Sequence, residues 1–216
     1  TTSQLIFNSK WSRDRFLEGL NKSEIDSNKL FILYQSSKKV KVDFKNKKKI
    51  ISFVGKLNLA KGYDLFGNAI IRILNKYKDW KGVVIGDEPR EKHVFKHKNL
   101  KILGFKSHKY VLNIFTKSSI SVVCSRWNEP FGRTSLEASS RGCAVIISNR
   151  GGLTETTEHA IILKKLTSEE IYSKIDFLIK NKKQRQTLQK KSYCGFKYSH
   201  EFITNLQDNI RYNSLG

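Results

Sequence analysis

The sequence predicts an α/β domain built on a doubly wound parallel sheet, and two observations carry that expectation. Short runs rich in Ile and Val recur along the chain, and stretches with apolar residues at helical spacing lie between them. Glycine turns follow several of the apolar runs, where a parallel sheet must hand the chain from a strand to a helix.

In order, Gln4 to Asn8 reads as a strand, Ser12 to Leu20 as a helix and Leu30 to Tyr34 as a second strand. Buried strands are then expected at Ile50 to Val54, Gly82 to Ile85, Leu100 to Leu103, Ile120 to Cys124, Cys143 to Ile147 and Ala160 to Leu163. The clearest helix covers 62–78, where Leu65, Phe66, Ile70, Ile73, Leu74 and Tyr77 recur three and four residues apart. Ser107 is the expected cap of a helix over 107–117, and a shorter helix covers 132–141. After residue 164 the pattern is helical only: Thr167 to Lys180, opened by a capping box of Thr167 and Glu170, then 183–195 and 200–211. Strand and helix joined by short connections imply right-handed crossovers, helices on both faces and ligands beyond the carboxyl ends of the strands.

Composition narrows the class. The 216 residues carry 41 Lys and Arg against 19 Asp and Glu, a formal charge of +22, yet 38% hydrophobic and 11% aromatic residues suffice for a core and argue against disorder. Cys124, Cys143 and Cys194 are widely spaced and form no C-x-x-C pair, so neither a disulfide framework nor a zinc site is indicated and a reducing cytosol fits. No apolar run approaches the roughly 18–20 residues of a membrane span. The expected location is cytoplasmic, with peripheral attachment to the inner face of a membrane left open by the charge. The chain opens directly into a strand-like Leu5-Ile6-Phe7, as a piece of a longer protein would.

Two lysine-rich runs stand out. Lys38, Lys39, Lys41, Lys45, Lys47, Lys48 and Lys49 share their segment with one acid, Asp43, and read as a solvated linker. Lys180, Lys182, Lys183, Arg185, Lys190 and Lys191 enclose no acid. Such runs suit nucleic acid or an anionic membrane surface. Neither interleaves aromatics or matches a nucleic-acid-binding pattern, so nucleic acid is not the expected partner. The expected organisation is a small N-terminal segment over 1–35, a lysine-rich linker over 36–49, the main domain over 50–195 and a last helix within 196–216.

Three glycine turns carry the chemistry. Gly55 to Gly62 follows the first strand of the main domain and holds Lys56 and Lys61 just before a helix, where backbone amides and ammonium groups suit a diphosphate. It matches neither a P-loop nor the G-x-G-x-x-G fingerprint. Glu129-Pro130-Phe131-Gly132-Arg133-Thr134-Ser135-Leu136-Glu137 follows another strand and runs into a helix, with main-chain N–H groups near Phe131 to Thr134 facing the strand ends. Glu137 is placed to accept from ribose hydroxyls. Taken as a lone pair of carboxylates, Glu129 reads better as a helix-dipole charge and Glu137 as a solvated face residue. Gly151 to Glu155 is the third turn at the same edge.

In order and spacing these three turns resemble the donor-binding half of glycosyltransferase family 4, retaining nucleotide-sugar-dependent transferases of group 1 with two Rossmann-like domains (the GT-B fold). The resemblance covers roughly residues 4–212, and the E-x7-E pattern with its Pro-Phe-Gly insert is its most specific part. It implies that Lys56 (usually Arg in the family) and Lys61 bind the donor diphosphate and that Glu129 contacts the transferred sugar, so these three are the candidate catalytic residues. It also implies donor binding by Gly55, by the amides of Phe131, Gly132, Arg133 and Thr134, and by Glu137 at the ribose. The base is expected near Gly86 and the Lys101 to Phe105 segment, Leu103 included, held by main-chain groups. Two lysines at the leaving diphosphate make a metal unnecessary, so no metal and no cofactor is expected.

By the same resemblance, Gln4 to Leu20 looks like the end of an N-terminal acceptor domain, most of which lies outside this sequence, and His200 to Tyr212 like a helix returning to pack on it. The chain alone is therefore expected to transfer no sugar. Two other classes remain open: a non-catalytic nucleotide-sugar or nucleic-acid binding module, and another GT-B transferase or epimerase. Ala144 departs from the family, which often has Pro there.

Overall fold

The computed structural model describes residues 4–20 and 26–215. Six parallel strands form the main sheet: β3 (Lys48–Val54), β4 (Lys81–Ile85), β5 (Leu100–Ile102), β6 (Ser118–Val123), β7 (Ala144–Ser148) and β8 (Ile161–Leu163), in the order β5-β4-β3-β6-β7-β8. The chain winds outward from β3 in one direction, then returns to β6 beside it and winds outward in the other. The order reverses between β3 and β6, so the crevice at their carboxyl ends is the topological switch point.

Side chains alternate across the sheet as a two-residue period requires. Ile120, Val122, Ala144 and Ile146 face one layer, where they pack with α2 (Tyr63–Lys76) and α5 (Ser168–Lys180). Val145, Ile147, Val83 and Ile85 face the other, against α3 (His108–Lys117) and α4 (Arg133–Ser140). The helical residues predicted to be apolar in α2 supply its buried face, Phe66, Ile70, Ile73 and Leu74 all being fully buried. Ser107 caps α3, its hydroxyl accepting from the Tyr110 amide at 3.4 Å. The capping box of α5 is half made. Thr167 accepts from the Glu170 amide at 3.2 Å, but the Glu170 carboxylate turns to the Lys164 and Lys165 amides instead of reaching back.

The N-terminal segment forms its own two-stranded parallel sheet, β1 (Leu5–Phe7) with β2 (Leu30–Ile32), and one helix, α1 (Lys10–Glu18). The last helices are α6 (Lys182–Cys194) and α7 (His200–Leu215). Phe196, Tyr198 and Ile203 pack with Leu33, Tyr34 and Phe131, so the chain entering α7 joins the N-terminal segment to the main domain.

The lysine runs are not uniformly solvated, contrary to expectation. Lys48 and Lys49 open β3, and Lys47 turns inward, where its ammonium donates to the carbonyls of Phe115, Ser118 and Arg141 at 2.9, 2.9 and 2.6 Å. Burial holds its pKa below the ordinary lysine range. Lys47 thereby ties the end of the linker to the ends of α3 and α4. Arg185, in the second run, is 8% exposed; it donates to the Leu178 carbonyl at 2.6 Å and its guanidinium lies 5.0 Å from the Trp80 ring centroid. In both cases a charge that reads as solvent-facing in sequence satisfies carbonyls at a helix end.

All three cysteines are free. Burial pushes the Cys124 thiol up to about 12 and the Cys143 thiol upward as well. Substitution separates the structural lysine from its solvated neighbours: Lys47→Met is predicted to cost about 1–3 kcal/mol of unfolding free energy by stranding buried carbonyls. Exposed Lys45→Met is predicted to change it by less than about 0.5 kcal/mol. Urea denaturation of both variants is the check.

Candidate functional site

The switch point is lined by the turns after β3 and β6 and by the start of α4. Its walls include Gly55, Lys61, Ser125, Glu129, Gly132 and Thr134. Five of these six belong to the turns singled out in sequence, and Ser125 lies just beyond the strand that leads to the second.

Two glycines let the backbone come this close. Gly62 adopts φ +71°, and a Cβ there would lie 2.0 Å from the Cys124 carbonyl oxygen. Helix α2 therefore starts directly over the end of β6. Gly132, at φ +116°, is the N-cap of α4 and brings no side-chain hydrogen bond to the helix. A helix leaves its first amides without intrahelical partners, and here no capping side chain takes them up. The N–H groups of Arg133 and Thr134 consequently point their partial positive charge toward the strand ends.

Lys61 and Glu129 meet across the pocket, Nζ to Oε1 at 2.6 Å, with side chains 32% and 13% exposed. Lys61 is oriented from below by its own turn, since its amide donates to Asn58 Oδ1 at 3.0 Å. Glu129 is held by its backbone, forming an isolated parallel bridge to Gly151, and its carbonyl accepts from the Gly152 amide at 2.7 Å. Gly151 must be glycine for this contact, with φ +59° and a hypothetical Cβ 2.3 Å from the Glu129 oxygen. Glu129 thus faces Lys61 and does not cap α4.

Glu137 lies one turn further along α4 and is 6% exposed, so it is not a solvated face residue. His108 Nε2 lies 2.9 Å from its Oε1, and Arg133 donates to that same oxygen at 3.1 Å from one of its terminal nitrogens. Both partners approach Oε1, leaving the other oxygen to take a further donor. Two side chains thus gather on one oxygen of a carboxylate that is otherwise buried.

Gly86 and Gly104 shape the neighbouring rim. Gly86 sits at φ +137° with its Cα against Gly55, where a Cβ would be 1.8 Å from the Gly55 carbonyl oxygen. Its amide donates to Gly104 at 3.0 Å and the Leu103 amide donates to Val84 at 2.9 Å. Both of these N–H groups are engaged, so main-chain recognition at Gly86 and Leu103 falls to carbonyl oxygens. Lys56 is exposed on its turn and stands outside the pocket lining. The Phe131 side chain turns away from the pocket and is 1% exposed, its ring 5.4 Å from Tyr34 and 5.7 Å from Tyr198.

Three contributors have no signal in the sequence. Glu155 does not face the pocket; its carboxylate accepts from the Lys10 and Trp11 amides at 2.9 Å each, supplying a negative charge to the N-terminus of α1. Ser9 donates to the Pro130 carbonyl at 2.5 Å, next to Glu129. His108 supports Glu137. Each partner lies far away in the chain, and only helix α3 with its Ser107 cap hinted at where His108 would stand. Among the described residues no group of three or more His, Cys, Asp or Glu side chains gathers in a way that would hold a metal ion.

The glycines permit a graded test. Gly104→Ala, at φ +66° with open space around the new Cβ, is predicted to cost about 1–2 kcal/mol for backbone conformation alone. Gly86→Ala adds a backbone collision and is predicted to cost clearly more, both read from chemical denaturation midpoints.

A sequence profile of the glycosyl transferases group 1 matches residues 35–194. Among curated proteins, the putative glycosyltransferase YtcC of Bacillus subtilis is 31% identical over 128 residues, covering 53% of this chain and 31% of that protein. Spore coat protein SA of Bacillus subtilis is 30% identical over 165 residues, covering 67% of this chain and 43% of that protein. The chain therefore spans less than half the length of these relatives. Of solved structures, a glycosyltransferase from Rickettsia africae superposes with a TM-score of 0.80 at 18% identity, covering 98% of this chain and 63% of that one. Anabaena Alr3699/HepE, solved in complex with UDP and glucose, gives 0.80 at 15% identity, over 98% and 64%. The C-terminal domain of the group 1 glycosyl transferase LpcC from Francisella tularensis gives 0.59 at 26% identity, over 74% and 87%. With the profile matching well over half of its length, the chain belongs to the glycosyl transferases group 1.

Proposed function

We propose that this chain is the donor-binding part of a retaining glycosyltransferase that takes a sugar from a nucleoside diphosphate sugar. The observation that carries the reading is the pocket at the β3/β6 switch point, where the uncapped N-terminus of α4 and the Lys61 ammonium converge beside the Glu129 carboxylate, with Glu137 one turn further along α4. That set suits a ligand with a diphosphate in the middle, a ribose on one side and a sugar on the other. The UDP and glucose held by Anabaena Alr3699/HepE, a protein of the same fold, support this class of ligand.

The residues divide the work by their chemistry. The Gly132 to Thr134 amides and Lys61 bind the diphosphate, and Lys56 reaches it from the rim. Positive charge here stabilises the transition state more than the ground state, because the diphosphate gains negative charge as the glycosidic bond breaks. A unit pair at 4 Å in a partly screened site is worth about 4 kcal/mol, enough for lysines and helix amides to serve without a metal ion. A lysine at position 56 lacks the bidentate fork of arginine and binds as a point charge.

Glu137 accepts from a ribose hydroxyl through the oxygen that His108 and Arg133 leave open. Glu129 must exchange Lys61 for the hydroxyls of the sugar when the donor enters, releasing Lys61 to the phosphates. The carbonyl rim near Gly86 and Leu103 contacts the base. An acceptor would be held across the cleft by a further N-terminal domain, with β1, α1 and β2 as its point of attachment, in a cytoplasmic enzyme.

Calorimetric titration with uridine, guanosine and adenosine diphosphates and their glucose or mannose conjugates tests the reading. Lys61→Ala is predicted to weaken whichever diphosphate binds by about 1–3 kcal/mol, the range of a charge-assisted hydrogen bond. Glu137→Gln weakens diphosphate and conjugate alike. Glu129→Gln weakens the conjugate and spares the diphosphate, because its loss also frees Lys61. Absence of binding by all three diphosphates at millimolar concentration, or equal losses for both carboxylate variants on both ligands, contradicts the assignment.

A further inference from the structure

From Lys92 to Asn128 the chain has no acidic residue, and between Lys92 and Lys117 it carries seven lysines. The fold lays the first part of this stretch, Lys92 to Ile102, along the open edge of the main sheet, since β5 is the outermost strand and pairs with β4 on one side only. Lysine on an edge strand guards against pairing with another chain, which accounts for Lys101. It does not account for the apolar side chains beside it: Val94 is 72% exposed and Ile102 42%.

The β4–β5 connection is anchored, so this exposure is built in. Phe95 packs edge-on against Tyr63 with ring centroids 5.4 Å apart and covers Gly67, where a Cβ would come within 2.1 Å of its ring. With Phe95 inward, Val94 is held outward between Lys92 and Lys96. A groove below the same edge adds Lys48, Lys81 and Lys117 around a floor that includes Ile50 and Leu103. Of the nearby acids, Asp79 pairs with Lys49, Glu88 with Arg90, and Glu91 with the Leu59 amide and His93, which leaves the exposed Asp87. The lysines of the edge far outnumber it, so most of their positive charge is uncompensated.

We propose that this edge, from Lys92 to Ile102, is the surface by which the protein rests on an anionic lipid bilayer. Lysines that approach an anionic leaflet gain from its surface potential, and the interleaved Val94 and Ile102 enter the headgroup boundary where apolar side chains are favoured. Nucleic acid fits the same charge less well. No arginine stands between Lys92 and Ser125 to offer a bidentate fork, and Val94 and Ile102 give a base nothing to stack on. Docking along β5 leaves the switch-point pocket uncovered, because that pocket opens at the carboxyl ends of β3 and β6, with β4 standing between.

Flotation with phosphatidylcholine vesicles, with and without phosphatidylglycerol, is the test. The protein is predicted to float only with the anionic vesicles, and less as salt rises. Lys92→Glu, Lys96→Glu and Lys98→Glu combined should reduce the partition coefficient on the order of a hundredfold or more. The same charge change on α6, Lys182→Glu, Lys183→Glu and Lys190→Glu, should reduce it far less. Val94→Ser should weaken binding without altering its salt dependence, and the thermal midpoint should be unchanged in all variants. Equal losses for the two triple variants would show that net charge alone acts and would overturn the assignment. So would flotation indifferent to phosphatidylglycerol, or a single-stranded RNA oligonucleotide displacing the protein from vesicles at equal phosphate.

Discussion

The candidate site depends on one close approach, between the backbone at Gly62 and the carbonyl of Cys124. A side chain at position 62 would collide with that carbonyl at 2.0 Å, so only glycine lets α2 begin over the end of β6. This approach closes the switch point on one side and carries Lys61 across it to Glu129. Gly132 and Gly151 repeat the device on the other side, one starting α4 at the pocket and the other backing the Glu129 carbonyl. The pocket is thus a place where three backbone turns meet at van der Waals distance, with charged groups supplied by the residues immediately beside the glycines.

Charge at this edge is balanced before any ligand arrives. Lys61 pairs with Glu129, and Glu137 with Arg133, so each of these partly buried charges has a partner within the protein. A donor can be accommodated by partner exchange, with phosphates replacing Glu129 on Lys61 and hydroxyls replacing Lys61 on Glu129. The loop that carries Glu129 is also tied to the N-terminal segment, through Ser9 on Pro130 and Glu155 on the start of α1. A movement of α1 would pull on the residue preceding the Phe131-Gly132 turn, which couples the placement of Glu129 to whatever the N-terminal segment is attached to.

Much of this was legible along the chain because it rests on local pattern. The apolar runs from Ile50 to Leu163 mark all six strands to within a few residues, as buried parallel strands carry almost nothing else, and the spacing in 62–78 marks α2. The three turns were visible because glycine at a strand end has a conformational reason to be there. What was not legible depends on contacts between distant segments. Lys47 looked like one more linker lysine and is a buried tie among three carbonyls, while Glu155 looked like the end of the third glycine turn and serves α1. The partner of Glu137 was equally hidden, since His108 stands exposed at the start of α3 and nothing in sequence marks its contact with a residue of α4. The charge along the edge from Lys92 to Ile102 went unremarked because its lysines are spaced apart and become a single surface only when β5 takes the outermost place.

The central claim is that a nucleoside diphosphate lies on the N-terminus of α4 beside Lys61. Amide NMR of the isotope-labelled protein during titration with uridine diphosphate tests it most directly, with guanosine and adenosine diphosphates titrated in parallel. For the nucleotide that binds, the account predicts the largest shifts at Gly132, Arg133 and Thr134 and at Lys61 and Gly62, with little change along α6. Shifts confined to the lysine-rich β5 edge or to α6, with the Gly132 to Thr134 amides unmoved, would contradict it.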